Sequence, residues 1–166
     1  MILATHAIVG ASVAKIVSVN PIAGFIAGLL SHYFLDSIIH WDYKLKSKKS
    51  GEGDKMSEDI SINKDFIFDL FKLSLDLIIG IIVIILFLYS PDSKQNMILL
   101  AGTIGGILPD FLQFLYFKIK REPLISFQKL HDLVHAEKKL DNYPKLGIFL
   151  QAVIITLFII LGRYLK

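Results

Sequence analysis

The chain has 166 residues, of which 54% are hydrophobic and 20% charged, with a net charge of +3 and no cysteine. So large an apolar share exceeds that of an ordinary soluble domain. The missing cysteine excludes disulfides and thiolate metal sites, and the small charge excess argues against nucleic acid as a partner.

One domain over residues 1–166 suits this length. In chain order, five apolar segments approach or reach the roughly 20 residues needed to cross a bilayer. They lie at about 2–19, 21–41, 70–89, 96–117 and 146–162. The first, opening "MILATHAIVG", has no basic leader and places His6 where a signal peptide requires apolar residues, so it reads as a retained helix. It is also the weakest, because it carries His6 and Lys15. Pro21 ends it and suits the first turn of the second segment.

Residues 44–65, rich in Lys, Ser, Gly and acid, predict a flexible loop. The third segment, "LSLDLIIGIIVIILFLY", is the cleanest span. In the fourth, "AGTIGGILPDFLQF", glycines and Pro109 are expected to break the helix just before Asp110. Within residues 118–145, Leu124, Phe127, Leu130, Leu133 and Val134 predict an amphipathic helix near 124–138, lying on the membrane surface or on the bundle. The fifth segment is "LGIFLQAVIITLFIILG". The expected fold class is therefore all-α: an integral membrane bundle of about five transmembrane segments plus an amphipathic surface helix.

If all five segments cross, the N-terminus and both polar stretches share one side. The first stretch holds six Lys and the second seven basic residues, against only Lys15, Lys94, Arg163 and Lys166 opposite. The positive-inside bias makes the crowded side cytoplasmic, giving a multi-pass protein of the cytoplasmic (inner) membrane with a cytoplasmic N-terminus. His6, His32, Asp36, His40, Asp69, Asp76, Asp110, His131 and His135 all fall toward that side. Ionisable groups at membrane depth are costly, so their gathering there marks a candidate site.

In "SHYFLDSIIH" a spacing of four sets His32, Asp36 and His40 along one helical face. An imidazole and a carboxylate so spaced can ligate one cation, with the carboxylate free to bridge to a second. On a continuous helix His40 would lie about 12 Å from His32, so it is expected to serve a second ion, an outer position, or the interface beside Trp41. The competing reading is a hydrogen-bonded polar helix end. His131 and His135 repeat the spacing without the Glu of a zincin motif; alone they would pass for surface histidines. Gly102, Gly105 and Gly106 permit close helix approach, which explains the glycines but not Asp110. Asp69 has Lys72 as a ready ion-pair partner, whereas Asp76 lies deeper and is the better catalytic candidate. His6, a lone histidine near a terminus, reads as a satisfied polar group.

Four blocks, "THAIVGA", "SHYFLDSIIHWD", "GGILPD" and "HDLVH", together resemble the small membrane-bound, metal-dependent hydrolases of bacteria and archaea, a family considered a distant relative of zinc-dependent phospholipase C. That family has an N-terminal Thr-His, a Ser-His-x-x-Leu-Asp block and a Leu-Pro-Asp block. The resemblance implies ligands at His6, His32, Asp36, Asp110, His131 and His135. Larger members carry further histidine motifs after the Leu-Pro-Asp block, and here only His131 and His135 could play that part.

A set of nitrogen and oxygen donors suits a divalent metal, zinc first, then manganese or iron, as one or two ions. The chemistry expected is metal-activated water, with Asp36, Asp110 or Asp76 handling the proton. No Ser-His-Asp arrangement, cysteine nucleophile or phosphate loop is evident in the sequence. A site at headgroup level near Lys118, Lys120 and Arg121 suits a membrane lipid or lipid-linked phosphate. The expected function is phosphoester hydrolysis at the cytoplasmic membrane interface. The rivals are a metal or proton transporter, or a metal-binding membrane protein without hydrolase activity. A transporter needs polar residues running to the opposite side, where only Lys15 and Gln151 interrupt the apolar halves.

Overall fold

The computed structural model describes residues 1–49, 55–136 and 140–165. Six helices carry it: α1 (Leu3–Val17), α2 (Pro21–Asp36), α3 (Lys64–Leu88), α4 (Ser93–Ile119), α5 (Leu124–Val134) and α6 (Pro144–Tyr164). A short antiparallel pair, β1 (Lys48–Lys49) with β2 (Asp59–Ile60), and a 3-10 turn at Lys55–Ser57 complete the described elements.

Helix α1 is the centre of the bundle. Eleven of its fifteen residues are buried, and it packs against α2, α3, α4 and α6. Its small residues explain this position. Gly10 lies against Gly102 and Gly106 of α4, while Gly80 of α3 meets Ala4 at 3.0 Å from the position a Cβ would take. Such close backbone approach supplies the packing that holds helices together in lipid. No side chain of its own caps α1. Instead Asp76 of α3 accepts the Ala4 N–H at 3.1 Å, and Gln151 of α6 accepts from the Ile2 N–H at 3.1 Å and the Thr5 hydroxyl at 3.0 Å. Two neighbouring helices thus satisfy the free N–H groups of the central one.

Among the described residues three helices, not five, are long and apolar enough to cross a membrane: α3, α4 and α6. Their outward faces are apolar, with Phe68, Phe71, Ile82, Leu86, Phe149 and Leu157 all exposed. These helices mark the chain as membrane-associated. α1 and α2, at 15 and 16 residues, span only about 22–24 Å, short of the roughly 30 Å hydrocarbon core. The second segment stops at Asp36 although its apolar run continues. The Ser37 hydroxyl donates to the Phe34 carbonyl, the Ile38 N–H turns back to Leu35, and the chain leaves the helix. Non-helical backbone of this kind is tolerated only against protein or a wet cavity.

Three further expectations are corrected. α4 runs unbroken through Pro109, which is buried within it, despite the backbone hydrogen bond that proline cannot donate. The 44–65 stretch is not a free loop where it is described: Ile60 packs on Tyr116 and Phe117, the Tyr116 hydroxyl donates to the Met56 carbonyl at 2.7 Å, and Lys118 pairs with Asp59 at 2.9 Å. Residues 50–54 of that stretch lie outside the described residues. The amphipathic helix ends at Val134 rather than near 138, with His135 already extended, and residues 137–139 lie outside the described part. Its faces are also sorted: Gln128 and His131 turn inward, whereas Leu130 and Leu133 are exposed.

The contact between α2 and α4 sets the position of the polar residues at their ends. Gly28 lies on Gly102, and Gly105 lies on the Phe25 carbonyl and the Leu29 N–H, each too close to admit a Cβ. His32 and Asp110 come about one turn after these glycines. Gly28→Val and Gly105→Val should each cost roughly 1–3 kcal/mol or more through forced separation, read as a drop of several degrees in thermal unfolding of the detergent-solubilised protein. Unchanged unfolding would contradict this packing.

Candidate metal centre

Asp36, the last residue of α2, is 1% exposed and receives nitrogen atoms from several elements. Its Oδ2 stands 3.1 Å from His32 Nε2, on the same helix, and 3.0 Å from His131 Nε2 of α5. Its Oδ1 stands 3.1 Å from His6 Nε2 of α1, 3.0 Å from the Met1 α-amino group and 3.9 Å from His40 Nε2. Asp110 Oδ1 approaches His32 Nε2 to 3.9 Å from α4. One ligand atom from each of His32, Asp36, Asp110 and His131 falls in a group with all separations within 4.8 Å, and the same holds for Asp36, His40 and His135.

The second nitrogen of each ring fixes what the first can do. His32 Nδ1 lies 2.7 Å from the Gly106 carbonyl, His40 Nδ1 2.7 Å from the Ile38 carbonyl, and His135 Nδ1 3.2 Å from the Ala136 carbonyl. A carbonyl oxygen only accepts, so each Nδ1 carries its proton, and the neutral ring keeps a lone pair on Nε2. His131 Nδ1 lies 3.0 Å from Gln113 Nε2, an amide nitrogen that donates to it and leaves the ring proton on Nε2, 3.0 Å from Asp36 Oδ2; with the amide turned over, its oxygen would accept from Nδ1 instead. His32 Nε2 and His131 Nε2 then face each other at 3.4 Å beside a carboxylate oxygen. Two ring nitrogens so close need a proton or a cation between them. Metal-binding histidines are held in this way, with the distal N–H on a carbonyl or similar acceptor. Buried His6 Nε2 and His40 Nε2 have no hydrogen-bond partner among the described residues, and neither has His6 Nδ1.

The structure divides the residues singled out in the sequence. His32, Asp36, Asp110 and His131 meet in one group. His40 and His135 meet on the other side of Asp36, and His6 stacks on the His32 ring at 4.0 Å. Because α2 ends at Asp36, His40 folds back to the carboxylate instead of lying a further turn away. Asp76 is not brought into either group. Its carboxylate closes the start of α1 and lies 3.4 Å from the Tyr43 hydroxyl. Burial first, then the nearby carboxylates of Asp76, Asp110 and Asp42, raises the Tyr43 pKa, so the phenol remains a donor there. Asp69 accepts from the Ser47 N–H at 2.7 Å and the Ser47 hydroxyl at 2.8 Å, with Lys72 at 3.5 Å, and so anchors the loop before β1. Sequence reasoning missed Gln113 and Asp42. Gln113, one turn beyond Asp110 in an otherwise apolar run, was the available signal. Asp42 Oδ2 lies 3.4 Å from His40 Nε2.

Asp110, His131 and His135 also line an open cleft of about 580 Å³. Lys44, Phe114 and Phe117 form other parts of its wall. The donor set is entirely nitrogen and oxygen, which fits zinc, manganese or iron(II). The chain matches no protein-family model, no curated protein and no solved structure.

Removing the group that orients His131 should weaken metal binding without removing a ligand. Gln113→Leu is expected to raise the zinc dissociation constant about 10–100-fold at unchanged stoichiometry, measured by competition with a chromophoric chelator. Unaltered affinity would show that His131 needs no such support.

Proposed function

We propose that this chain is a metal-dependent hydrolase that cleaves a phosphoester on a membrane lipid or lipid-linked substrate at the cytoplasmic interface. The observation that carries this reading is the convergence of His32 Nε2, whose Nδ1 is tied back to the Gly106 carbonyl, and His131 Nε2 on a buried carboxylate at the edge of a cleft. The short-block resemblance to membrane-bound metal-dependent hydrolases points the same way. His32, His131 and Asp36 would hold the ion, zinc by preference, with Asp110 beside it. When bound, such an ion supplies a Lewis acid for the phosphoryl oxygen and makes water acidic enough to attack near neutral pH.

The chain's own groups supply the rest. Asp36 is engaged by nitrogen atoms on both oxygens, so proton transfer falls to Asp110, which is partly exposed and lines the cleft. Asp110 takes the proton of the attacking water as its oxygen joins phosphorus. The bond from phosphorus to the leaving alcohol breaks, and the proton passes to the alkoxide. Lys44, exposed at the cleft wall, offsets the charge of the non-bridging oxygens. Phe114 and Phe117 give the cleft an apolar wall suited to the hydrocarbon next to a lipid headgroup. The outward Leu130 and Leu133 of α5 suit a helix seated in the interface.

The packing beyond the site favours hydrolysis over transport. Past His6, α1 presents Ala7, Ala11 and Ala14, all fully buried, and Gly10 sits directly on α4. The hydroxyls of Ser12 and Thr103 are turned to carbonyls of their own helices. Lys15, farther on, donates to the Leu88 carbonyl at 3.0 Å. These described residues offer no polar route across the bundle.

Purified protein in mixed micelles should hydrolyse an anionic phospholipid or lipid diphosphate. A chelator should abolish the activity and zinc restore it, and Asp110→Asn should lower kcat by about 10²–10⁴-fold. Hydrolysis that is indifferent to chelation, or absent across such a panel, would overturn the reading. Sidedness has its own test. Lys46→Cys and Ser93→Cys should label from opposite faces, Lys46→Cys from the cytoplasm; labelling of both from one face would contradict the orientation.

A further inference from the structure

The geometry points to the apolar seam between α3 and α4 as a lateral lipid entry. One acyl chain of an anionic bilayer phospholipid lies along it, and the lipid reaches the cleft sideways without leaving the membrane. This narrows the substrate of the proposed function and rests on that reading for the position of the phosphate.

Helices α3 and α4 follow one another across a short turn, yet other elements hold them. α3 packs on α1 and α6, and α4 on α1, α2 and α5; among the described residues the α3 and α4 backbones approach each other at few points. α1 stands behind both, with Ala4 against Gly80 of α3 and the His6 carbonyl against Gly106 of α4. The side of the seam away from α1 therefore faces lipid. Four half-buried side chains line it. Leu73 and Phe114 form part of the cleft wall, while Leu77 and Ile107, deeper along the same helices, pack on the buried Ala7, Ile8 and Ala11. The apolar track thus starts inside the cleft and continues into the span. Asp110 lies one turn from both Phe114 and Ile107, so the carboxylate beside the metal centre stands at the head of the track.

The water side of the cleft is walled and pinned. Tyr43, Lys44, Lys48, Glu58 and Ile60 line it there. Their segments are tied to α3 by the Ser47 N–H on Asp69 at 2.7 Å, and to α4 by the Tyr116 hydroxyl on the Met56 carbonyl at 2.7 Å. At this end the Phe66 and Phe114 rings stack at 6.1 Å and join the two helices. Below that pair the seam is the open approach.

Depth and charge fit a lipid lying there. Lys72, 46% exposed and paired with Asp69 at 3.5 Å, keeps its ammonium at headgroup level and puts Leu73 just beneath it. Lys44 stands exposed on the cleft wall at the polar end, where an anionic phosphate would sit. An apolar lining that ends in a few convergent polar groups has the form of a small-molecule site.

Photolabelling of the full chain in phosphatidylcholine vesicles tests this. The probe is phosphatidic acid with a diazirine in one acyl chain, and adducts are mapped by peptide mass spectrometry. They should fall on residues 66–77 and 107–114 as well as on the lipid-facing α6. Excess unlabelled phosphatidic acid should remove most of the adducts in the seam and leave those on α6. Leu77→Trp, which fills the seam, should lose the competed adducts. Labelling that is competed nowhere would mean annular lipid only and would overturn the entry, whatever the activity. Disulfide-linked dimers of Leu77→Cys in the same vesicles would assign the seam to a second copy and overturn it as well. Competed seam adducts on a protein that hydrolyses no phosphoester would uphold the lipid site and overturn the hydrolase reading instead.

Discussion

The structure is organised around one buried negative charge. An ionised carboxylate sealed from water costs several kcal/mol unless hydrogen bonds and positive charge surround it, and Asp36 is 1% exposed. The Met1 α-amino group lies 3.0 Å from it, and ring nitrogens reach it from α1 through His6, from its own helix through His32, from the segment after α2 through His40, and from α5 through His131, where a cation among them would supply further positive charge. Meeting this demand requires those elements to converge at one end of the bundle. The glycine contacts make the convergence possible, because only a bare α4 backbone lets the Gly106 carbonyl come within 2.7 Å of His32 Nδ1. Packing and site are thus one problem with one solution.

That arrangement divides the molecule into a polar end and an apolar remainder. At the polar end, side chains from every helix turn inward: Gln151 joins Thr5, the Ile2 N–H and the Trp41 carbonyl, and Gln128 and His131 of α5 are buried. Away from it, α1 and α4 meet through glycine and alanine, while α3 and α6 show apolar faces outward. A bilayer accepts this distribution, since lipid needs apolar exterior surface and the polar groups satisfy one another inside. Two ligand sources also differ in rigidity. His32, Asp36 and Asp110 stand on packed helices, whereas His40, Asp42 and His135 stand on short irregular segments stitched by backbone hydrogen bonds.

Much of this was legible because it depends on local spacing. The four-residue interval between His32 and Asp36 survives in the helix, and the long apolar runs of α3 and α6 mark themselves by composition. What composition hid was partnership. Hydropathy does not separate a helix facing lipid from one buried among helices, so α1 resembled a weak span; its Ala and Gly content was the better guide. The apolar pair Ile38 and Ile39 masked the end of α2, which is set by hydrogen bonds at Ser37 and Leu35. Pro109 looked like a break, yet α4 is continuous through it, with the proline buried in the bundle. Asp76 looked catalytic because it is deep, but its depth comes from capping α1. Asp42 and Gln113 escaped notice because their importance lies in contacts with residues distant in the sequence or across a helix boundary.

The central claim is that the nitrogen atoms gathered on Asp36 are there for a metal ion, and X-ray absorption at the zinc edge tests it most directly. Protein purified with zinc should give a first shell of nitrogen and oxygen only, at about 2.0–2.1 Å, with the outer-shell scattering of at least two imidazoles, lost in His32→Ala and His131→Ala. A zinc environment without imidazole scattering, or one unchanged by those substitutions, would contradict the account.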